Sequence, residues 1–251
     1  MRGIGSMQAI IMAAGKGSRL GKITEGKPKS FAEIKGKKLI EYNLQLLKKY
    51  GIEDIFIVTG YCCEAFEKLT ENMEGVHLIY NPFYEMMNVL GSFYMGMDVL
   101  KDDFVYLHAD TLCEPVIFEK LIHMASDADA VLPVDYGPCN EEAMKVKTIA
   151  GNIVQITKQI PVEEAEGEFI GMAAFRRELI PALKDRTKRL LQEKNFNEYF
   201  ERAVQRLIDE ENYRIKAVPT AGAFWTEIDF MEDYEKAVAC IPESLTGIFE
   251  R

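Results

Sequence analysis

Residues 10–29, IIMAAGKGSRLGKITEGKPK, run from an apolar strand through a glycine-rich, cation-rich loop to the pair Pro28-Lys29. Glycines let such a loop bring backbone N–H groups against a guest with no Cβ in the way. Between Lys16 and Lys38, eight Lys or Arg stand against two acids, a local charge of +6 in a chain that carries −10 overall. A loop this positive in an acidic protein suits a polyphosphate. A solvated, lysine-rich loop is the other reading these residues leave open. The spacing is neither G-x-x-x-x-G-K-[ST] nor G-x-G-x-x-G, because Gly15, Gly17 and Gly21 miss the last position.

Outward from this loop, short apolar runs alternate with helical periodicity. Gln8–Ala14, Asp54–Thr59, Val76–Tyr80 and Asp103–His108 read as strands. Leu39–Tyr50, Cys62–Asn72 and roughly residues 89–100 read as helices between them. Strands alternating with helices predict an α/β, Rossmann-like, doubly wound and mostly parallel mixed sheet, with ligands beyond the carboxyl ends of the strands. In the second half, Ala130–Val134 reads as a strand and 144–149 with 153–158 as a hairpin turning at Ala150-Gly151-Asn152. An apolar run at 168–175, helices at 177–193 and 197–211, strands at 213–218 and 223–228 and a helix at Met231–Cys240 complete the pattern. The expected organisation is one domain over 7–251, with 135–222 as an acceptor-binding insertion or small lid. Residues 1–6, MRGIGS, read as a non-native leader.

Bulk composition narrows the function classes. The chain has 251 residues, 48% hydrophobic and 28% charged, enough for a sizeable core. Its acidity argues against nucleic-acid binding. No apolar run reaches the roughly 18–20 residues of a membrane span. The five cysteines form no C-x-x-C pair and, with three histidines, no zinc constellation. A cytoplasmic protein with reduced thiols is expected.

Separated carboxylates supply the second chemical signal. Asp110 follows the apolar strand in FVYLHADTL, and Glu227 and Asp229 lie in AFWTEIDFMEDY. Alternate residues on an extended chain share a face, so Glu227 and Asp229 could address one target. A few hard carboxylate oxygens together with phosphate and water are how Mg²⁺ is usually held. Read singly, Asp110 and Asp229 serve equally as a turn residue and a helix cap.

The run AIIMAAGKGSRL followed by KPKSF resembles the opening of the sugar-phosphate-type nucleotidyltransferases, A-A-G-x-G-[ST]-R-[LM]…P-K. The compact chain is most similar to the cytidylyltransferases for phosphocholine and for phosphonates such as 2-aminoethylphosphonate. LIEYNLQLLKKYGI, IFIVTGY, NPFYEMMNVLGSFYMG, HAD and WTEIDFMEDYEKA carry the resemblance along the chain. It implies the nucleotide-diphospho-sugar transferase fold, Mg²⁺ as cofactor, and CTP and a small phosphate- or phosphonate-bearing acceptor as partners. It assigns Ala13, Ala14, Gly15, Lys16, Gly17, Ser18 and Arg19 to the nucleotide, with Asn88 and Ser92 beside it. The resemblance makes Arg19 and Lys29 the catalytic cations, and Asp110, Glu227 and Asp229 the metal ligands. Val89 departs from the family's second asparagine.

The acceptor pocket is less legible. Lys145 and Lys158 are candidates for its phosphate, and Tyr84, Asp135, Tyr136, Glu168 and Trp225 for a cationic head group. His108 reads as a packed strand histidine. A UTP or dTTP sugar-1-phosphate or inositol-phosphate transferase is the alternative enzyme, and a non-catalytic nucleotide sensor the alternative of another class. A glycosyltransferase with Asp-x-Asp is disfavoured by His108-Ala109-Asp110. Oligomeric state stays open, with a homodimer as the first candidate.

Overall fold

Strand β1 (Met7–Ala13) is buried along its whole length. Ile11 and Ala13 face one core and Ile10 and Met12 the other, as the two-residue repeat of a central strand requires. Each isoleucine is fully buried, which stabilises the fold by about 1.5–3 kcal/mol per side chain. The computed structural model describes residues 7–211 and 213–250, with only the backbone for Ser18, Gly21, Lys22 and Glu211. The leader expected at 1–6 lies outside the described residues.

The further strands of the main sheet are β2 (Asp54–Thr59), β3 (Val76–Tyr80), β4 (Asp103–His108), β5 (Ala130–Tyr136), β6 (Lys145–Ile149) and β7 (Asn152–Ile156). β8 (Gly167–Phe169), β9 (Met172–Phe175) and β10 (Ile215–Pro219) complete it. Their order is β8-β6-β7-β10-β5-β9-β4-β1-β2-β3. β1 pairs in parallel with β2 on one side and β4 on the other, and β2 in parallel with β3. The chain therefore steps from β1 to β2 and β3, then crosses back to β4. The gap between β1 and β4 is the switch point, where a doubly wound sheet opens a crevice beyond its carboxyl edge.

Helices cover the sheet: α1 (Leu39–Lys49), α2 (Cys63–Thr70), α3 (Val89–Gly96), α4 (Pro115–Met124), α5 (Ile180–Gln192), α6 (Glu201–Glu211) and α7 (Met231–Cys240). The apolar run at 168–175 is split into β8 and β9 at Gly171, whose φ of +80° breaks the ladder. The helix expected at 197–211 starts only at Glu201, after a turn at the cleft mouth. The hairpin expected at 150–152 turns on Ala150 and Gly151, both at positive φ.

Residues 135–222 contribute β6 to β10 to the same sheet. β8 pairs with both β6 and β5, and β5 pairs with β10, so five strands close a circuit β5-β10-β7-β6-β8-β5. Two short strands, Thr111–Cys113 and Trp225–Glu227, form a separate antiparallel pair. That pair has large consequences for the site.

Candidate active site

The loop after β1 turns at Gly17, at φ +60°, into a 3₁₀ turn over Ser18–Leu20. A Cβ on Gly17 would sit 2.3 Å from Cβ of Lys29, so glycine is needed there to let Lys29 pass. A Cβ on Gly15 would meet nothing within 4 Å, which leaves its backbone open toward a guest. The loop is tied down at its start, where Tyr61 N–H donates to the Ala14 carbonyl at 3.0 Å. Pro28 precedes a second 3₁₀ turn, Lys29–Phe31, that aims the Lys29 side chain inward.

Asp110 and Asp229, 119 positions apart, meet because Glu227 pairs with Thr111 and Trp225 with Cys113. Ile228 N–H donates to the Asp110 carbonyl at 3.1 Å and extends that ladder by one residue. Asp233 accepts from the N–H groups of Asp229 and Phe230 at 3.1 and 2.8 Å, setting the start of α7 and the position of Asp229. Lys29 Nζ then bridges Asp110 Oδ2 and Asp229 Oδ1. Burial alone would lower the Lys29 pKa, but these two carboxylates outweigh it and hold it above the usual lysine value. Burial pushes the Asp110 carboxyl up, and Lys29 and His108 overcome that and hold it below the ordinary aspartate range.

His108, at the end of β4, belongs to this cluster and is not the bland packed histidine the sequence suggests. Its Nδ1 is 3.4 Å from Glu227 Oε1, and its Nε2 is 2.9 Å from the Tyr106 hydroxyl. A Cβ on Gly171 would stand 2.7 Å from His108 Nδ1, so the break between β8 and β9 also makes room for this ring. One ligand atom each from His108, Asp110 and Glu227 lies within 4.8 Å of the others. Asp110 Oδ1 is buried with no hydrogen-bond partner. A buried carboxylate oxygen without a donor, beside two more ligand atoms, fits a hard divalent cation.

These groups line one cavity of about 390 Å³. Of the residues assigned to the nucleotide, Ala14, Gly15, Gly17, Arg19, Asn88 and Ser92 line it, together with Lys29 and the three acids. Ala13 instead faces the core, and Lys16 extends over the Tyr61 ring at 5.4 Å. The side chain of Ser18 lies outside the described residues. Arg19 is exposed, its guanidinium 4.5 Å from the Phe230 ring centroid. Asn88 Oδ1 caps α3 by accepting from Val89 N–H at 2.8 Å, and Ser92 Oγ accepts from Asn81 at 3.0 Å.

The acceptor candidates divide. Tyr84, Lys158 and Glu168 line the cavity. Burial, then the Glu227 and Asp135 charges, raise the Glu168 pKa to about 7. Lys145 does not reach the cleft. It is wholly buried, and its ammonium donates to the carbonyls of Glu141, Ala143 and Lys158 at 3.0, 3.4 and 2.8 Å. Asp135 and Trp225 are committed to each other, with Trp225 Nε1 donating to Asp135 Oδ2 at 2.9 Å and Thr220 Oγ1 donating to Oδ1 at 2.6 Å. Tyr136 is exposed and does not line the cavity. Glu142, Phe169, Tyr199 and Glu201 do line it. Glu201 carried no sequence signal, since the first acid of a helix usually faces water.

Comparison with known proteins shows the family. Residues 9–201 match the MobA-like NTP transferase domain. The chain belongs to that family. This transferase is 32% identical, over 91% of its length and 98% of the relative's, to the CTP:phosphoglutamine cytidylyltransferase of Campylobacter jejuni. It superposes on the CTP:phosphocholine cytidylyltransferase of Streptococcus pneumoniae with a TM-score of 0.78 at 25% identity, covering 93% of this chain and 98% of that one. It shares the fold of the inositol-1-phosphate CTP transferase of T. maritima, with a TM-score of 0.80 at 24% identity and 98% of each chain covered. No helix among the described residues is long and apolar enough to cross a membrane.

Two expected outcomes follow from the packing of this transferase. In Gly17→Ala the new methyl must displace Lys29 by more than 1 Å from a 2.3 Å approach, so turnover should fall about 100-fold, with a melting temperature only a few degrees lower. Steady-state kinetics beside a melting curve checks both, and full activity would mean that Lys29 has freedom the packing denies. The second outcome concerns pH. Burial alone would lower the His108 pKa, but Glu227, Glu201 and Asp110 raise it to about 9. Its stabilising contribution is therefore complete below the unfolded value near 6.5 and is lost as pH rises through about 9, at most about 3 kcal/mol. Glu168 acts with the same sign in a lower window, losing stability from about 4.5 to about 7. In chelator-treated protein, melting temperature should fall between pH 7 and 9.5, and His108→Gln should flatten that slope. Equal slopes in both proteins would remove His108 from the cluster's charge balance.

Proposed function

We propose that the protein is a Mg²⁺-dependent cytidylyltransferase that joins CTP to a small phosphate- or phosphonate-bearing acceptor, releasing pyrophosphate. The observation that carries this reading is the convergence of Lys29, Asp110, Asp229 and the open Gly15 backbone on one cavity at the β1–β4 switch point. A nucleotide sensor has no need of a half-buried lysine held between two carboxylates from distant segments. The similarity to cytidylyltransferases of phosphoglutamine and phosphocholine supports CTP and a phosphorylated small molecule as the pair.

A phosphate or phosphonate oxygen is already anionic at neutral pH, so the attack on the α-phosphorus needs no general base. What the protein supplies is neutralisation and alignment of two anions that repel. The Gly15–Gly17 backbone accepts the triphosphate, Arg19 grips its oxygens, and Lys29 places a fixed positive charge at the α-phosphate. Asp110, Glu227 and Asp229, with His108 beside them, would hold the Mg²⁺, which when bound neutralises phosphate charge. Lys158, 3.6 Å from Glu142 and 4.8 Å from the Tyr199 ring centroid, stands ready for the acceptor phosphate. The acids of the 135–222 segment favour a cationic acceptor of the phosphocholine or 2-aminoethylphosphonate kind.

The test is a pyrophosphate-release screen of four nucleoside triphosphates against phosphorylated alcohols, amines, phosphonates and sugars, with and without Mg²⁺. Release with CTP and an aminated acceptor, dependent on Mg²⁺, is expected. Preference for UTP with sugar phosphates would replace the reading, and CTP binding with no release from any pair would favour a sensor.

A further inference from the structure

Glu201 is the first residue of α6 and lines the cavity, yet it is only 2% exposed. Its Oε2 is buried and has no hydrogen-bond partner. Its Oε1 lies 3.9 Å from His108 Nε2, beyond hydrogen-bond reach, and that nitrogen is already engaged by the Tyr106 hydroxyl at 2.9 Å. A buried carboxylate oxygen without a donor is costly. The His108 charge offsets part of that cost, but no donor among the described residues reaches Oε2, and the Glu201 side chain lines a space large enough for a small molecule. Glu142, Glu168 and Glu227 line the same cavity; Glu142 is paired with Lys158 at 3.6 Å and Glu227 with His108 at 3.4 Å, which leaves Glu168 beside Glu201 without an ion pair among the described residues.

The chemistry of the missing donor can be narrowed. A hydroxyl could donate to Oε2 but would bring no charge to Glu201 and Glu168, neither of which has a hydrogen-bonded cation among the described residues. A quaternary ammonium brings the charge but has no N–H, and it prefers aromatic faces. Of the three rings lining the cavity (Tyr84, Phe169 and Tyr199), Tyr199 already has Lys158 Nζ near its face. A primary ammonium supplies both charge and N–H donors. Resting on the cytidylyltransferase reading, we infer that Glu201 is a specificity-determining residue that receives the N–H groups of a primary ammonium on the acceptor.

The experiment compares acceptors that differ only at nitrogen: phosphoethanolamine, phosphocholine and ethyl phosphate, and in parallel 2-aminoethylphosphonate with its N-trimethyl counterpart. With CTP and Mg²⁺, kcat/KM for the primary amines should exceed that of the trimethylated partners by at least about tenfold, the discrimination expected when a buried polar group would be left unpaired. Glu201→Gln should compress both the amine-to-trimethyl and the amine-to-ethyl ratios toward unity. Glu201→Asp, which keeps the charge, should retain much of each ratio. A residue with a merely structural role would lower every acceptor in proportion and leave the ratios alone. Equal or better use of the trimethylated acceptors by the native enzyme overturns the inference, as does a Glu201→Gln variant with unchanged ratios, while the cytidylyltransferase reading survives either result. Release from no CTP–acceptor pair at all overturns both. If the variants do not fold, the native series decides.

Discussion

Lys29→Ala should lower kcat/KM by about 100- to 1,000-fold, the cost of losing one preorganised charge at the reacting phosphorus. The residue is held in place before any ligand arrives. Gly17 packs against its Cβ, Pro28 sets the turn, and Asp110 and Asp229 fix the ammonium. Those carboxylates also keep it protonated across the whole working pH range. Lys29→Arg is the informative control, because it retains charge but replaces a compact ammonium with a longer, planar fork that cannot centre its charge where the lysine ammonium sits. It should recover little activity. Removing the cation also leaves Asp110 and Asp229 facing each other, so Lys29→Ala should melt at lower temperature in chelator and regain part of the loss when Mg²⁺ is added. Near-normal kcat/KM in the alanine variant would remove Lys29 from the reaction.

Asp110→Asn should abolish Mg²⁺-dependent turnover, with a loss of at least about 1,000-fold by analogy with other sites whose metal neutralises a transferring phosphoryl group. Asp110 is the least exposed of the three acids, and its Oδ1 is buried with no protein partner. The asparagine also leaves Lys29 with a single carboxylate. Asp229→Asn should show a smaller loss and a weaker Mg²⁺ titration, since the Asp229 side chain is 41% exposed and water can replace part of what it provides. Kinetics against Mg²⁺ concentration separates the two. Identical metal titrations in both variants and the native enzyme would exclude these acids from the metal site.

Much of this site was legible because its first half is local. The loop after β1 must turn with glycines, must carry cations and must follow an apolar strand, and each requirement leaves a mark within twenty residues. The alternation of strands and helices through His108 was readable for the same reason, since a fully buried parallel strand shows as an uninterrupted apolar run. The resemblance to nucleotidyltransferases extended this to Asp110, Glu227 and Asp229. The acceptor side behaved differently. Lys145 and Lys158 looked alike as lysines near strand ends, yet one caps three carbonyls inside the closed five-strand circuit and the other faces the cleft. Asp135 and Trp225 were plausible as a cage for a cation and instead satisfy each other. Glu201 gave no warning and His108 read first as a packed strand histidine, because the face an acid or imidazole presents depends on what packs around it.

The amino-acid sequence alone thus determined the α/β class, the glycine-rich loop after the first strand and the cation at its end, all products of backbone sterics and charge within a short span. The tertiary structure decided which carboxylates meet. The pairing of Trp225–Glu227 with Thr111–Cys113 brings Asp229 to Asp110 and puts Lys29 between them. Three-residue strands carry too little periodicity to be recognised in a sequence, and their register is set by a ladder that closes across more than one hundred residues.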